Sequence, residues 1–332
     1  MDSILFLTVL IVIFALGFDF INGFHDTANT IATSVSTRAL KPRVAIVMAA
    51  TMNFVGALTF TGVAKTIGSG IVDPVKIENG SVIVLAALIS AIIWNLITWY
   101  YGIPSSSSHA IIGSLAGAAI SADGFGTIEY GGFVNILLAL IISPILALTI
   151  GFIIMTIFQL IFRNFPLGKT NRGFRLFQIL TAAIQSFTHG TNDAQKAMGI
   201  ITLALVSADF IPTMEVPMWV RIGSAVAMGL GTSIGGWKII KTVGGKIMKI
   251  KPINGAAADL TSASIIFGAT LIHLPVSSTH VISSSIMGVG SAERVKNVKW
   301  GTALNIVLTW IITLPVTAIL AAIIYQFLAL FL

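Results

Sequence analysis

The chain has 332 residues, of which 56% are hydrophobic and only 9% charged, with a mean hydropathy of +0.97. So little polar surface excludes a soluble globular domain and leaves an integral membrane protein. The formal charge is +7, and the absence of cysteine excludes disulfides, thiolate catalysis and cysteine-type metal sites.

A helix crossing hydrocarbon needs about 20 largely apolar residues. In chain order, residues 4–22, 44–64, 80–101, 132–162, 218–240, 255–272 and 301–332 meet that requirement or nearly so. The first stretch is expected to stay in the mature protein, because no basic n-region or small-residue cleavage site accompanies it.

The same motifs then occur twice. GFHDTANTIA from Gly23 aligns with GTNDAQKAMG from Gly190, pairing Asp26 with Asp193 at an offset of 167. GIPSSSSHAIIGSLAG from Gly102 aligns with HLPVSSTHVISSSIMG from His273, pairing Pro104 with Pro275 and His109 with His280 at an offset of 171. AKTIG from Ala64 matches IKTVG from Ile240, and NILLALIISP from Asn135 matches NIVLTWIITLP from Asn305. Residues 1–165 and 170–332 are therefore expected to be two copies of one unit, joined by a basic connector near 163–175. Each copy reads as about five crossings: one broken at the aspartate motif, two ordinary ones, a short one starting at the Pro-Ser run, and a last one. An odd number inverts the second copy.

Loop charge tests the inversion, because cytoplasmic loops collect Lys and Arg. Arg38, Lys41 and Arg43; Arg163, Lys169, Arg172 and Arg175; Lys238, Lys241, Lys246, Lys249 and Lys251; and Arg294, Lys296 and Lys299 against Glu293 are all expected to fall inside. The alternate loops hold Asp73 and Glu78 against Lys65 and Lys76, then Asp123 and Glu129, then Asp209 and Glu215, and fall outside with both termini. The positive balance is thus topology, and no nucleic-acid module is visible.

Ionisable residues at membrane depth are costly and mark function by default. Asp26 and Asp193 sit where Gly, Asn and Thr interrupt the apolar run, which predicts a helix break at mid-membrane. Pro104 and Pro275 each lead hydroxyl residues into a short helix, a helix-start signature. Two such starts facing each other would aim free N–H groups and hydroxyls at one point, a site for a tetrahedral oxyanion. Carboxylates beside an anion require cations. The anion is accordingly assigned to Thr27, Ser105, Ser106, Ser107, Ser108, Gln195, Lys196, Ser277, Ser278 and Thr279. The coupling cation is assigned to Asn22, Asp26, Asn29, Thr188, Asn192 and Asp193, whose hard oxygens suit Na⁺ and whose carboxylates would equally serve H⁺. Lys196 either offsets substrate charge or neutralises Asp193 one turn away. His25, His109, His189, Asp259 and His280 are supporting residues, and Asp19 reads as structural.

On these duplicated motifs the chain resembles the inorganic phosphate transporter family over essentially its whole length. The resemblance implies Na⁺- or H⁺-driven symport of inorganic phosphate into the cell, no cofactor, an inverted-repeat fold in the cytoplasmic membrane and a homodimer. GFHDTANT carries His25 where animal and fungal members read Asn in GANDVANA, and this form resembles the bacterial branch, for which H⁺ coupling and metal-phosphate substrates are the alternatives. A sulfate permease of the same family is another. Members often carry a glutamate near the third crossing of both copies, and here only Asp259 corresponds, with Leu88 in the first copy. Outside the family, Ser108 and His109 suggest an intramembrane hydrolase, but no nucleophile-elbow motif supports one; an anion channel would conduct without a cation.

Overall fold

Backbone inside hydrocarbon must satisfy its own N–H and C=O groups, so apolar runs of this length fold as helices. The computed structural model describes residues 2–72 and 80–331, which are all-helical, with one isolated bridge between Val72 and Ile128 and no strand among the described residues. Asp73, Lys76 and Glu78, used in the loop-charge argument, lie outside the described residues.

The helices are α1 (Asp2–Ser36), α2 (Pro42–Ala57), α3 (Gly62–Gly70), α4 (Gly80–Tyr101), α5 (Ser107–Asp123), α6 (Tyr130–Phe162), α7 (Leu167–Ser207), α8 (Met218–Ile234), α9 (Trp237–Gly245), α10 (Pro252–Leu271), α11 (Ser278–Glu293) and α12 (Trp300–Leu328). By length and apolarity, α1, α4, α6 and α12 each suffice to cross a membrane, and the α2–α3 pair, bent by 71°, is a fifth candidate. Large apolar side chains such as Ile141, Ile145, Ile311 and Ile319 stay exposed on α6 and α12, a surface suited to lipid.

Packing follows an exchange rule. Helix α1 packs on α8, α4 and α9, while α7 packs on α2, α10 and α3; α5 packs on α12, and α11 on α6. Swapping each helix of the first series for its counterpart six places later returns the same pairs. Close crossings obey this rule too. A Cβ on Gly231 would lie 1.9 Å from the Phe20 carbonyl oxygen, and one on Gly56 would lie 2.2 Å from that of Phe187. Small residues let membrane helices approach this closely, where dispersion rather than the hydrophobic effect holds them.

One expectation fails. The aspartate motifs do not break their helices: α1 runs unbroken through Asn22 to Asn29, and α7 through Thr188 to Asp193. Hydroxyls in the motifs bond back to their own helix, Thr30 to the Thr27 carbonyl at 2.9 Å and Thr191 to that of Thr188 at 2.6 Å. Asn22, Asp26, Asn192 and Asp193 find partners on neighbouring elements, so the motifs are held without unwinding. Gly23 and Gly190 serve packing, since a Cβ on either would meet backbone oxygen of Met228 or Asn53 within 2.5 Å. The interruptions fall instead at residues 58–61, between α2 and α3, and at Gly235 and Gly236, between α8 and α9.

Candidate functional site

The site is built by a turn, a cap and the first residue of a helix, twice. Helix α4 ends where Gly102 takes φ +67° and the Ile103 amide returns 2.9 Å to the Thr98 carbonyl. In the same place after α10, His273 takes φ +60° and the Leu274 amide returns 2.9 Å to Ala269. Glycine suits this left-handed turn because a Cβ there crowds the following carbonyl; histidine occupies it at a cost. Pro104 and Pro275 follow outside any helix, the Ser105 amide reaching back 2.8 Å to the Ile103 carbonyl across Pro104. They precede the caps by two residues instead of occupying the first helical turn as expected. Ser106 caps α5 by accepting from the His109 amide at 3.1 Å, and Ser277 caps α11 by accepting from the His280 amide at 3.3 Å.

Those caps leave Ser107 and Ser278 as the first helical residues, and each hydroxyl meets an aspartate. Ser107 donates to Asp26 Oδ2, and its oxygen also lies 2.8 Å from Asn22 Oδ1. Ser278 donates to Asp193 Oδ2 at 2.5 Å. The two halves also cross: Thr279 of α11 donates 3.1 Å to Asp26 Oδ1 on α1, and Asn29 donates 2.9 Å to Thr279. Both helix starts therefore converge on Asp26, and Ser108 closes the junction by donating 2.9 Å to the Val276 carbonyl.

Each carboxylate also has nitrogen partners. His25 Nδ1 lies 2.7 Å from Asp26 Oδ1, with its Nε2 3.0 Å from Thr98. His189 Nε2 lies 2.7 Å from Asp193 Oδ2, and its Nδ1 3.1 Å from Asn53. Lys196 pairs with Asp193 across three residues of α7. The core of this site is sealed: Asp26 is 2% exposed, and Asp193, Lys196, His25 and His189 are 0% exposed. Two carboxylates against one ammonium leave the site net negative before any anion enters, so an anion there requires cations with it.

Other residues named from the sequence point elsewhere. Thr27 joins Asn53 and Thr232 at 2.9 and 3.0 Å; Ser105 faces Trp94 and Thr313; Gln195 accepts from the Ala64 amide at 3.1 Å. Thr188 bonds back to Gln185, and Asn192 donates to Thr270 at 3.1 Å while its oxygen accepts from the Val276 amide. His109 and His280 pack with tilted rings 4.4 Å apart, and His280 stacks on Trp310 at 3.9 Å. With Ser108 donating to a carbonyl and His109 Nδ1 on the capping Ser106, the Ser108–His109 pair of a hydrolase does not form. Asp259 lies apart, accepting from Thr33 at 2.6 Å and Thr181 at 3.3 Å. Asp19 is fully buried with no hydrogen-bond partner for its carboxylate among the described residues. A cavity of ≈ 860 Å³ between α6 and α12 touches His109 and His280, but its lining is almost wholly apolar and suits no oxyanion.

Asn53, Thr98, Thr232 and Thr270 escaped the sequence reading. Only Asn53 carried a signal, as a lone amide inside an apolar span, a residue that in membranes usually hydrogen-bonds across helices.

The profile of the phosphate transporter family matches residues 22–171 and 163–321. A probable low-affinity inorganic phosphate transporter of Bacillus subtilis is 69% identical over 326 residues, covering 98% of each chain. One of the same description from Rhizobium meliloti is 44% identical, covering 94% of this chain and 93% of its own. A solved structure titled the sodium-dependent phosphate transporter superimposes with a TM-score of 0.87 at 27% identity, covering 98% of this chain and 100% of that one.

Proposed function

Because the chain belongs to the phosphate transporter family and is a multi-pass membrane transporter of phosphate, not an enzyme, we propose that it imports inorganic phosphate by symport with Na⁺. The observation that carries the coupling is the matched pair Ser107–Asp26 and Ser278–Asp193. In the sealed state each helix-start hydroxyl is spent on a carboxylate. A cation arriving at Asp26 and Asp193 takes over those carboxylate charges and frees both hydroxyls, with Thr279, to turn to phosphate. Neither ligand then binds well alone, which is the thermodynamic content of symport. Asn22 and Asn29 add oxygens on the cation side, and Lys196 balances Asp193. The neighbour titled sodium-dependent supports Na⁺.

A second reading keeps phosphate or metal-phosphate and replaces Na⁺ by H⁺. It is favoured by the imidazole within 2.7 Å of each site carboxylate, an arrangement suited to holding and passing protons. Uptake of labelled phosphate into proteoliposomes under an imposed Na⁺ gradient, or an imposed pH gradient, separates the two. Uptake driven by Na⁺ alone is expected; uptake driven by pH alone hands the role to H⁺, and uptake indifferent to both rejects symport. Competition by sulfate tests the substrate.

The scaffold in this reading is two inverted copies, 1–165 and 170–332, with both termini outside the cytoplasmic membrane and two chains forming a dimer. The exchange of helix partners supports the duplication, and the alternation of basic loops supports the inversion. A reporter placed at Gly126 and found in the cytoplasm would overturn the orientation.

A further inference from the structure

Between Glu129 and Asp193 the chain has no acidic residue, yet it carries Arg163, Lys169, Arg172 and Arg175. All four side chains are exposed, and no ion pair among the described residues involves them. The positive-inside tendency accounts for basic residues at this end of the bundle but not for what lies beside them. There, Phe158 and Phe162 of α6 and Phe174 and Phe177 of α7 wall a cavity of ≈ 500 Å³, with Leu260 of α10 on its far side. Phe174 packs on Phe158 and Phe162 with ring centroids 5.3 and 4.9 Å away, so the walls brace one another. Lys169 lines the cavity while remaining exposed.

We propose that this cavity is a binding site for an anionic phospholipid, its acyl chain between the phenylalanines and its phosphate headgroup on Lys169 with Arg172 beside it. Charge complementarity selects the anionic class, because four uncompensated cations at a membrane surface attract acidic lipid, and basic pockets between membrane helices hold such headgroups. The cavity supplies what charge alone lacks, an apolar slot that positions the chain. The site belongs to the connector between the two halves, so its occupant touches the last helix of one half and the first of the other.

The chain purified in detergent tests this, by mass spectrometry of retained lipid and by titration with phosphatidylglycerol or phosphatidylcholine. Phosphatidylglycerol is expected to stay bound and to bind more tightly than phosphatidylcholine. Lys169→Gln with Arg172→Gln should weaken it about fivefold per charge removed. Gly173→Leu should displace the chain while keeping every charge: Gly173 lines the cavity, and a Cβ there meets nothing within 4 Å, so the side chain fills space without strain. Thermal melting confirms that each variant is folded; should the leucine variant fail, the charge variant carries the test. Equal binding of the two lipids, or unchanged binding by the folded variants, overturns the proposal. Displacement of phosphatidylglycerol by an equal concentration of glycerol phosphate overturns it as well, since the apolar slot would then contribute nothing.

Discussion

Ser107→Ala removes one hydroxyl, isosterically and without touching a backbone group. In the sealed state Asp26 loses the donor from α5 and keeps His25 and Thr279, so the fold should survive. In the loaded state the same hydroxyl is proposed to serve phosphate. A hydrogen bond to a charged group is worth about 1.5–3 kcal/mol, or roughly 10- to 150-fold in affinity. The loss should appear as a KM for phosphate raised by about that factor. A second consequence distinguishes hand-over from simple contact. In the parent protein, raising the coupling cation should lower the phosphate KM, because the cation frees the hydroxyl; in Ser107→Ala that dependence should flatten. Ser278→Ala should behave alike through Asp193. The assay is initial uptake into proteoliposomes over a grid of phosphate and cation concentrations. An unchanged KM, or a raised KM with the cation dependence intact, would refute the hand-over.

Three further outcomes follow from the packing. Asp193→Asn leaves Lys196 buried without its counter-charge and should cost about 3–5 kcal/mol of stability, part of which Lys196→Met in the same chain should restore, as read from thermal melting. Gly231→Ala should lose about 1–3 kcal/mol by pushing α8 from the Phe20 carbonyl, whereas Gly173→Ala, with open space around it, should melt no lower than the parent. Gly102→Ala meets a left-handed backbone and a Lys238 Cβ at 2.8 Å, and should cost about 1–2 kcal/mol for the backbone alone, with a further loss from the contact.

The helix starts were legible in the sequence because their chemistry is local. A Pro, a run of hydroxyls and a His spaced as a cap unit specify where α5 and α11 begin, and the repetition of the unit marks both as one device. Ser107, Ser278 and Thr279 were placed near the aspartates by that logic, and the structure puts them within hydrogen-bond reach. The continuity of α1 and α7 was not legible. A polar motif inside an apolar run reads as a break when its partners are unknown, and the partners of His25 and Asp26 come from α4, α5 and α11. The directions of Thr27 and Gln195 were hidden for the same reason. Both share a helix with an aspartate, but each turns to a partner, Asn53 or the Ala64 amide, that only tertiary packing supplies.

The proposed duplication also hides an asymmetry that separates the two ends of the site. At the end bearing the basic loops, Thr33 and Thr181 hold Asp259, and Thr37 donates 2.6 Å to Gln178. The aligned positions in the other copy are Ile200, Phe14, Leu88, Ala204 and Ile11, and they pack together in one apolar cluster. Under the proposed symport, a cation leaving Asp26 towards the basic end would meet oxygens of Thr33, Thr181 and Asp259, and towards the other end the apolar cluster. Asp259→Leu installs the residue that the first copy already carries at this place. It touches none of the residues proposed to hold phosphate, so the phosphate KM should stay while maximal uptake falls, the mark of a slowed step after binding. A raised KM with full maximal rate would move Asp259 into the binding site itself, and unchanged kinetics would make the polar cluster a matter of packing.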